Sequence, residues 1–351
     1  MYAKPIAIPN HILQALALNS RIPDTHRNKH SINQNAANLY SGFKGEKSLN
    51  YNLSFLPEDD FLIFHYLRIP DDKGHFQLDF LLLSIYFFLI IEVKNIYDHV
   101  NFDEMGQTYR GSGEKVEIFK NPVDQVNLQH RRLLSWLRKY NFPAIPIEKI
   151  VVFSQDKTYL KNLANDKVIS DIVMHRDKVL PKIDLYMNKH KSVCCLDNQL
   201  LELSYQLLKQ HNPEEYDGIK KFDITTDDLI KGVICPGCGS IPMIWQSGKW
   251  LCAGCGFKSK TAHQPTLTDY ALLAGEYINN REARDFLKLD SDYIIKRILR
   301  QEQFEHFGET SGRKYKIDLE KLQNAEVHNE YVEVHRKNVE VHNSDHRSSQ
   351  L

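Results

Sequence analysis

Residues 77–95 read QLDFLLLSIYFFLIIEVKN. Two apolar runs, Gln77–Ser84 and Phe87–Asn95, flank a short break. Each has the length of a strand and is rich in Leu, Ile and Phe, with little alternation. Continuous apolarity of this kind predicts strands covered on both faces, as in the middle of an α/β sheet, here joined by a tight turn. The run Phe80–Val93 is too short for a membrane-spanning helix, which needs about 20 apolar residues. Its charges sit at the margins: Asp79 in the first strand, Glu92 and Lys94 at the end of the second. Residues two apart on a strand share a face, so Glu92 and Lys94 project together. Hairpin pairing brings Asp79 close to Glu92. Two carboxylates in an apolar neighbourhood repel, and a divalent cation relieves that. A lysine beside them can orient an attacking water or stabilise charge developing on a phosphate. The bland alternative is a structural ion pair between Lys94 and Asp79. Glu92-Val93-Lys94 is, however, the only Glu-x-Lys in the chain.

On the N-terminal side, Leu39–Leu53 predicts a helix and Phe61–Ile69 a strand. Residues 1–35 are polar, with a short apolar helix at Ile12–Leu18 and then a loose connector. On the C-terminal side, His99–Asp103, Gln107–Arg110 and Val116–Lys120 predict a β-excursion at a sheet edge. Pro122 suits the first turn of a long helix to about Tyr140. Ile147–Ser154 predicts another buried strand, and helical segments fill the stretch to about Gln210. The order helix, three strands, helix, strand predicts an α/β fold, a mixed sheet flanked by helices.

These residues resemble the PD-(D/E)xK nuclease superfamily, and within it the nuclease-related domain family, NERD. The resemblance covers roughly residues 36–160. It rests on Gly45-Glu46, on Asp79, on Ile91-Glu92-Val93-Lys94-Asn95 and on Asn121-Pro122-Val123-Asp124-Gln125. One departure is Leu78, where the pattern has proline. The resemblance implies a restriction-endonuclease-like sheet and hydrolysis of phosphodiester bonds with Mg²⁺ or Mn²⁺. It implies that Glu46, Asp79 and Glu92 gather around the metal, that Lys94 is the catalytic lysine, and that Gln125 lines the site. Nucleic acid, DNA first, is the expected partner. The alternatives are a non-catalytic nucleic-acid-binding protein on a nuclease scaffold, and a signalling or interaction adaptor.

A second signal lies in Cys235-x2-Cys238 and Cys252-x2-Cys255, each pair followed by glycine. The doubled spacing resembles a zinc ribbon over residues 233–260. Four thiolates close the shell, so the Zn²⁺ is expected to be structural. A segment this small lacks its own apolar core and draws stability from the metal. Cys194 and Cys195 are expected to be ordinary buried thiols.

Residues 266–322 predict a helix at Thr268–Tyr277, a second from Asn280, an N-cap at Ser291 and a third helix at Tyr293–Gln301. A Gly-containing hairpin follows. This order is similar to a small winged helix-turn-helix of the excisionase type. Lys296, Arg297 and Arg300 would then face a major groove, and Arg313, Lys314 and Lys316 would reach phosphates from the wing. The alternative is a protein-interaction module with a solvated basic face. The tail from 323 repeats Glu-Val-His at His328, His335 and His342 and is expected to lack fixed structure.

The organisation expected is therefore an extension (1–35), the nuclease-like domain (36–215), a linker (216–232), the ribbon (233–260), the helical module (266–322) and the tail (323–351). The 351 residues carry 45 Lys and Arg against 45 Asp and Glu, which excludes a chain that is basic throughout but not local basic surfaces. The N-terminus lacks the layout of a signal peptide, and no segment predicts membrane insertion. The reducing cytoplasm is the expected compartment, where six cysteines do not imply three disulfides.

Overall fold

The computed structural model describes residues 1–112, 115–309, 312–322 and 335. The chain divides into two units. One comprises Met1–Pro9 with Ser41–Glu214, the other Asn10–Tyr40 with Glu215–Leu351.

In the first unit, β1 (Tyr2–Lys4), β2 (Leu62–Asp71), β3 (Gly74–Leu83) and β4 (Phe88–Lys94) precede a three-strand excursion, β5 (His99–Phe102), β6 (Thr108–Ser112) and β7 (Lys115–Phe119). After the helix Pro122–Lys139 come β8 (Ile147–Phe153), β9 (Tyr159–Asn162) and β10 (Val173–His175). The main sheet has the order β1-β2-β3-β4-β8-β10. The pairs β2–β3 and β3–β4 are antiparallel; β1–β2, β4–β8 and β8–β10 are parallel. This is the mixed sheet flanked by helices that the order of elements implied.

Both faces of β3 and β4 are covered. Leu81, Leu83, Phe88 and Ile90 face a cluster with Val126, Leu133 and Trp136 of the long helix. Phe80, Leu82, Leu89 and Ile91 face a second cluster with Leu49, Leu53, Val179 and Ile183. The turn between the strands is closed by Ser84, whose hydroxyl donates to the Phe87 carbonyl at 2.8 Å. Asn121 caps the long helix by accepting from the Val123 N–H at 2.9 Å, and Pro122 occupies its first turn.

Two parts of this unit differ from expectation. The excursion is not simply an edge of the main sheet but three of the four strands of a separate sheet, β7-β6-β5-β9. The strands β9 and β10 lie where only helix was expected. Both are short, and short strands leave too few residues for a period to show. At the N-terminus, Tyr2–Lys4 joins the main sheet, the short helix expected at Ile12–Leu18 is present as Asn10–Arg21, and the helix Lys29–Ser48 takes the place of the loose connector.

The second unit holds the cysteine segment and the helical module around one apolar cluster. Cys235, Met243, Trp250 and Cys252 share that cluster with Ile278, Phe286, Ile295, Leu299 and Tyr315. Strands β11 (Ile244–Gln246), β12 (Lys249–Leu251) and β13 (Lys258–Ser259) form one sheet. Strand β14 (Tyr277–Asn279) leads into the helices Asn280–Leu287 and Asp292–Gln301, followed by β15 (Glu305–Phe307) and β16 (Lys314–Lys316). Ser291 caps the second helix as expected, accepting from the Ile294 N–H at 3.3 Å. The preceding helix runs His263–Leu273 rather than to Tyr277, because Gly275, at φ +120°, turns the chain into β14.

Arg21 and Asp269 form an ion pair at 2.7 Å with both side chains fully buried. Burial alone would raise the Asp269 carboxyl, but His335 and then Arg21 outweigh it and hold the group below its ordinary range. The Arg21 guanidinium also donates to the Ile230 and Gly232 carbonyls and to Thr266. Of the repeat tail, only His335 lies among the described residues. It is buried between Ser20 and Asp269, at 2.6 and 3.0 Å, and so is not loose at that position. His328 and His342 lie outside the described residues.

Candidate functional site

The first site grows from the break in the main sheet. The β2–β3 register pairs His65 with Phe80 and Leu67 with Leu78 but skips the Tyr66–Asp79 step. Tyr66 has φ +51°, an uncommon conformation for an aromatic residue. The β3–β4 register pairs Phe80 with Ile91, so its next step sets Asp79 opposite Glu92. Asp79 is buried and accepts the Val93 N–H at 2.9 Å.

Glu92 is 1% exposed. Its Oε1 accepts from Lys94 Nζ at 2.7 Å, and its Oε2 from Gln129 Nε2 at 2.6 Å. Lys94 Nζ also donates to Gln125 Oε1 at 3.0 Å. Lys94 therefore pairs with Glu92, not with Asp79 as the bland alternative had it. Gln125 and Gln129 lie one turn apart on the long helix, and the Asn121 cap and Pro122 fix where that helix begins. The resemblance implied Gln125 but not Gln129; a spacing of four on the same helix was the available signal.

Glu46 arrives from the helix Lys29–Ser48. A Cβ added to Gly45 would lie 2.6 Å from Asn95 Cβ and 2.9 Å from Ser154 Oγ. Glycine is what lets the helix approach the ends of β4 and β8 so closely. Asn95 Nδ2 donates to Ser41 Oγ at 3.0 Å, and Asn95 Oδ1 accepts from Ser154 Oγ at 3.0 Å and Gln155 Nε2 at 2.7 Å. The Asn of Ile-Glu-Val-Lys-Asn is thus the clamp that holds Glu46 in place. Gly45→Ala should destabilise the unit by about 1–3 kcal/mol through overpacking, measurable as a lowered unfolding midpoint.

Glu46 Oε2 is 2.7 Å from His65 Nε2. Burial, and then Lys4, push the His65 imidazole down to about 3, so the ring is neutral at physiological pH. Lys4 donates to the His65 carbonyl at 2.8 Å and is itself lowered to about 8 by burial, with Glu46 opposing. Sequence reading missed both Lys4 and His65, which come from the strand β1 and from the middle of an apolar strand. The Glu46 carboxyl is pushed up to about 8 by burial and then by the Glu92 charge. Asp79 is raised well above the carboxylate range by burial, then by Glu92 and Glu46.

The site thus holds three carboxylates, one lysine and two glutamines at the end of a buried strand. Hard oxygen donors suit a divalent cation, and two carboxyls held above their ordinary range by burial and then by the Glu92 charge are what such a cation relieves. Among the described residues the buried Gln129 Oε1 has no hydrogen-bond partner. The donor set fits the group that a nuclease-like domain implies. Among the described residues the three carboxylates are not drawn into one ligand shell, since Glu92 is engaged by Lys94 and Gln129 and Glu46 by His65.

The second site is closer to a finished shell. The ligand atoms of Cys235, Cys238, Cys252 and Cys255 all lie within 4.8 Å of one another. The Sγ atoms of Cys235 and Cys255 are 3.6 Å apart, and those of Cys238 and Cys252 3.5 Å. Tetrahedral zinc with bonds of about 2.3 Å sets sulfurs roughly 3.8 Å apart, so the cluster is compatible with zinc. Gly239 and Gly256 have φ +76° and +73° and donate their N–H groups to the Cys235 and Cys252 carbonyls, closing the two knuckles. Outside the cluster, Cys195 is buried among apolar side chains as expected, whereas Cys194 is only half-buried.

The basic residues of the helical module are less uniform than the sequence implied. Lys296 is exposed but paired with Asp292 at 2.6 Å. The Arg297 guanidinium lies over the Trp245 ring at 5.9 Å. Arg300 and Lys314 are exposed; Arg313 and Lys316 are half-buried. Among the described residues no helix is long and apolar enough to cross a membrane.

Searches of curated proteins and of solved structures found no match. Residues 41–154 match the family model of the nuclease-related domain, NERD, a span that takes in Glu46, Asp79, Glu92, Lys94 and Gln125. The chain carries a nuclease-related domain over residues 41–154.

Proposed function

We propose that the chain is a divalent-metal-dependent nuclease that hydrolyses phosphodiester bonds in DNA. The observation that carries this reading is the junction of Asp79, Glu92 and Lys94 at the end of a buried strand, with Glu46 brought in over Gly45. Glu46, Asp79 and Glu92 would hold Mg²⁺ or Mn²⁺. The bound cation supplies charge neutralisation at the scissile phosphate and a more acidic water. The protein's own share is positioning. Gln125 and Glu92 hold Lys94 Nζ between them, so that its remaining donor capacity can orient the attacking water and meet charge building on the phosphate. Gln129 keeps Glu92 extended toward the site.

The cysteine cluster is read as a structural zinc site. The unit β14, two helices, β15 and β16 is read as a winged helix-turn-helix, with Arg300 and Lys314 as the exposed cations that meet nucleic acid. Because Lys296 and Arg297 are engaged, protein binding through this module is the second reading.

The metal site has a pH signature. A carboxyl raised in the folded state holds its proton more tightly than in the unfolded chain, so its contribution favours folding at low pH and is lost as pH rises toward its folded value. For Glu46 that value is about 8. A cation must displace the proton, so affinity should climb by up to about tenfold per pH unit for each proton displaced. Calorimetric Mg²⁺ or Mn²⁺ titrations between pH 6 and 9 should show this rise and a levelling above about 8; a pH-independent affinity would count against Glu46 as a ligand. Cleavage of supercoiled, linear and single-stranded DNA and of RNA, with divalent ion or with EDTA, tests the function itself.

A further inference from the structure

One cavity of the first unit lies outside the carboxylate site, beside the long helix. Its volume is about 380 Å³, and its lining includes Asp71, Asp72 and Lys73 at the β2–β3 turn and Leu128, Arg131, Arg132 and Lys139 of the helix. The charges here do not cancel residue by residue. Asp71 is taken up by Arg132, whose guanidinium holds both carboxylate oxygens, at 2.5 and 2.6 Å. Arg132 is further fixed by the His75 carbonyl and by the Phe76 ring beneath it. Asp72 is taken up by Lys139 at 2.6 Å. Arg131 and Lys73 remain, and neither forms an ion pair among the described residues. The Lys73 N–H donates to Asp71 Oδ1 at 2.8 Å and its charge helps lower that carboxyl, but its ammonium and the Arg131 guanidinium stay outside any ion pair among the described residues, beside Leu128, which is half exposed.

Its position follows from the same helix that builds the site. Gln125, which holds Lys94, and Leu128 are one turn apart; Arg131 is one turn further. At 1.5 Å per residue, Arg131 lies about 9 Å along the helix from Gln125. On the strand side, Gln77, whose carbonyl accepts from Gln129, is four residues from Lys73, roughly 13 Å. Both distances amount to a few nucleotides of backbone.

We infer that Arg131 and Lys73 clamp backbone phosphates of the nucleic-acid strand a few nucleotides from the scissile bond, with the sugar against Leu128. The inference rests on the nuclease reading for its ligand, but not for its test. Guanidinium and ammonium groups with no internal partner are suited to phosphate, and each such contact contributes a defined share of salt dependence.

The experiment measures binding of a fluorescent oligonucleotide to the full chain across a salt series, in Ca²⁺, beside steady-state cleavage in Mg²⁺. The variants are Arg131→Ala with Lys73→Ala, and Arg138→Ala as a basic control on the same helix outside the cavity. Both substituted positions are exposed, and melting curves should match the parent. The double variant should bind about tenfold more weakly near 0.15 M salt, with a log–log salt slope shallower by about 1.5. Its KM should rise while kcat at saturation is kept. Inorganic phosphate at matched ionic strength should compete far less well than the oligonucleotide. Unchanged affinity and slope would overturn the clamp, as would an equal loss in Arg138→Ala or no oligonucleotide binding by the parent. A parent that binds with the expected slope but never cuts would support the clamp and remove the nuclease reading.

Discussion

Lys94→Gln is expected to slow phosphodiester cleavage by about 10²–10³-fold, the usual loss when one preorganised donor is removed. The Nζ group touches both Glu92 and Gln125, and its side chain is one-fifth exposed, so it can reach a substrate. Glutamine keeps a donor near Glu92 and spares the fold, whereas alanine would leave the buried Glu92 short of a partner and cost about 1–3 kcal/mol. Single-turnover rates and melting curves on the same sample separate the two effects. A contribution made only in the transition state lowers kcat and kcat/KM together. A variant that cleaves at the parental rate would remove Lys94 from the mechanism.

Removing the metal from the cysteine cluster should have the largest effect on stability. Structural zinc contributes apparent binding energies of about 10–16 kcal/mol at neutral pH, against a total stability of about 5–15 kcal/mol for a typical domain. Cys235, Trp250 and Cys252 lie in the same apolar cluster as Ile278, Ile295 and Tyr315. Chelation, or Cys252→Ser, should therefore unfold not only the ribbon but the helices of 280–301 with it. Limited proteolysis should then cut within residues 215–322 while a fragment spanning 41–214 persists, and metal analysis should fall from about one zinc per chain to none. If the variant keeps its metal and resists protease as the parent does, the cluster is not a structural zinc site.

Much of the first unit could be read from 77–95, because two-sided burial leaves an unbroken apolar text. The charged residues stand out against that text: Asp79, Glu92 and Lys94 are legible because charge in such a place is costly unless it is used. Glu46 was legible only through the Gly45-Glu46 resemblance, since no local pattern reports that its helix comes so near Asn95 that a Cβ at position 45 would clash. Lys4 and His65 were not legible at all, and Gln129 had only its spacing of four from Gln125 to mark it. Their contacts are made at sequence separations of 61, 19 and 37 residues, and a single chain read in order carries no record of them. The cysteine spacing announced its cluster fully. In the helical module the element order was legible, but the engagement of Arg297 with Trp245 depends on tertiary packing that spacing does not encode.

The most direct measurement is cleavage of end-labelled DNA by the full chain, wild type beside Asp79→Ala, in Mg²⁺ or Mn²⁺ and in EDTA. The account predicts divalent-dependent cleavage by the wild type that EDTA abolishes and that Asp79→Ala lacks while still folded. Equal cleavage by Asp79→Ala, or cleavage by the wild type that persists in EDTA, would contradict it.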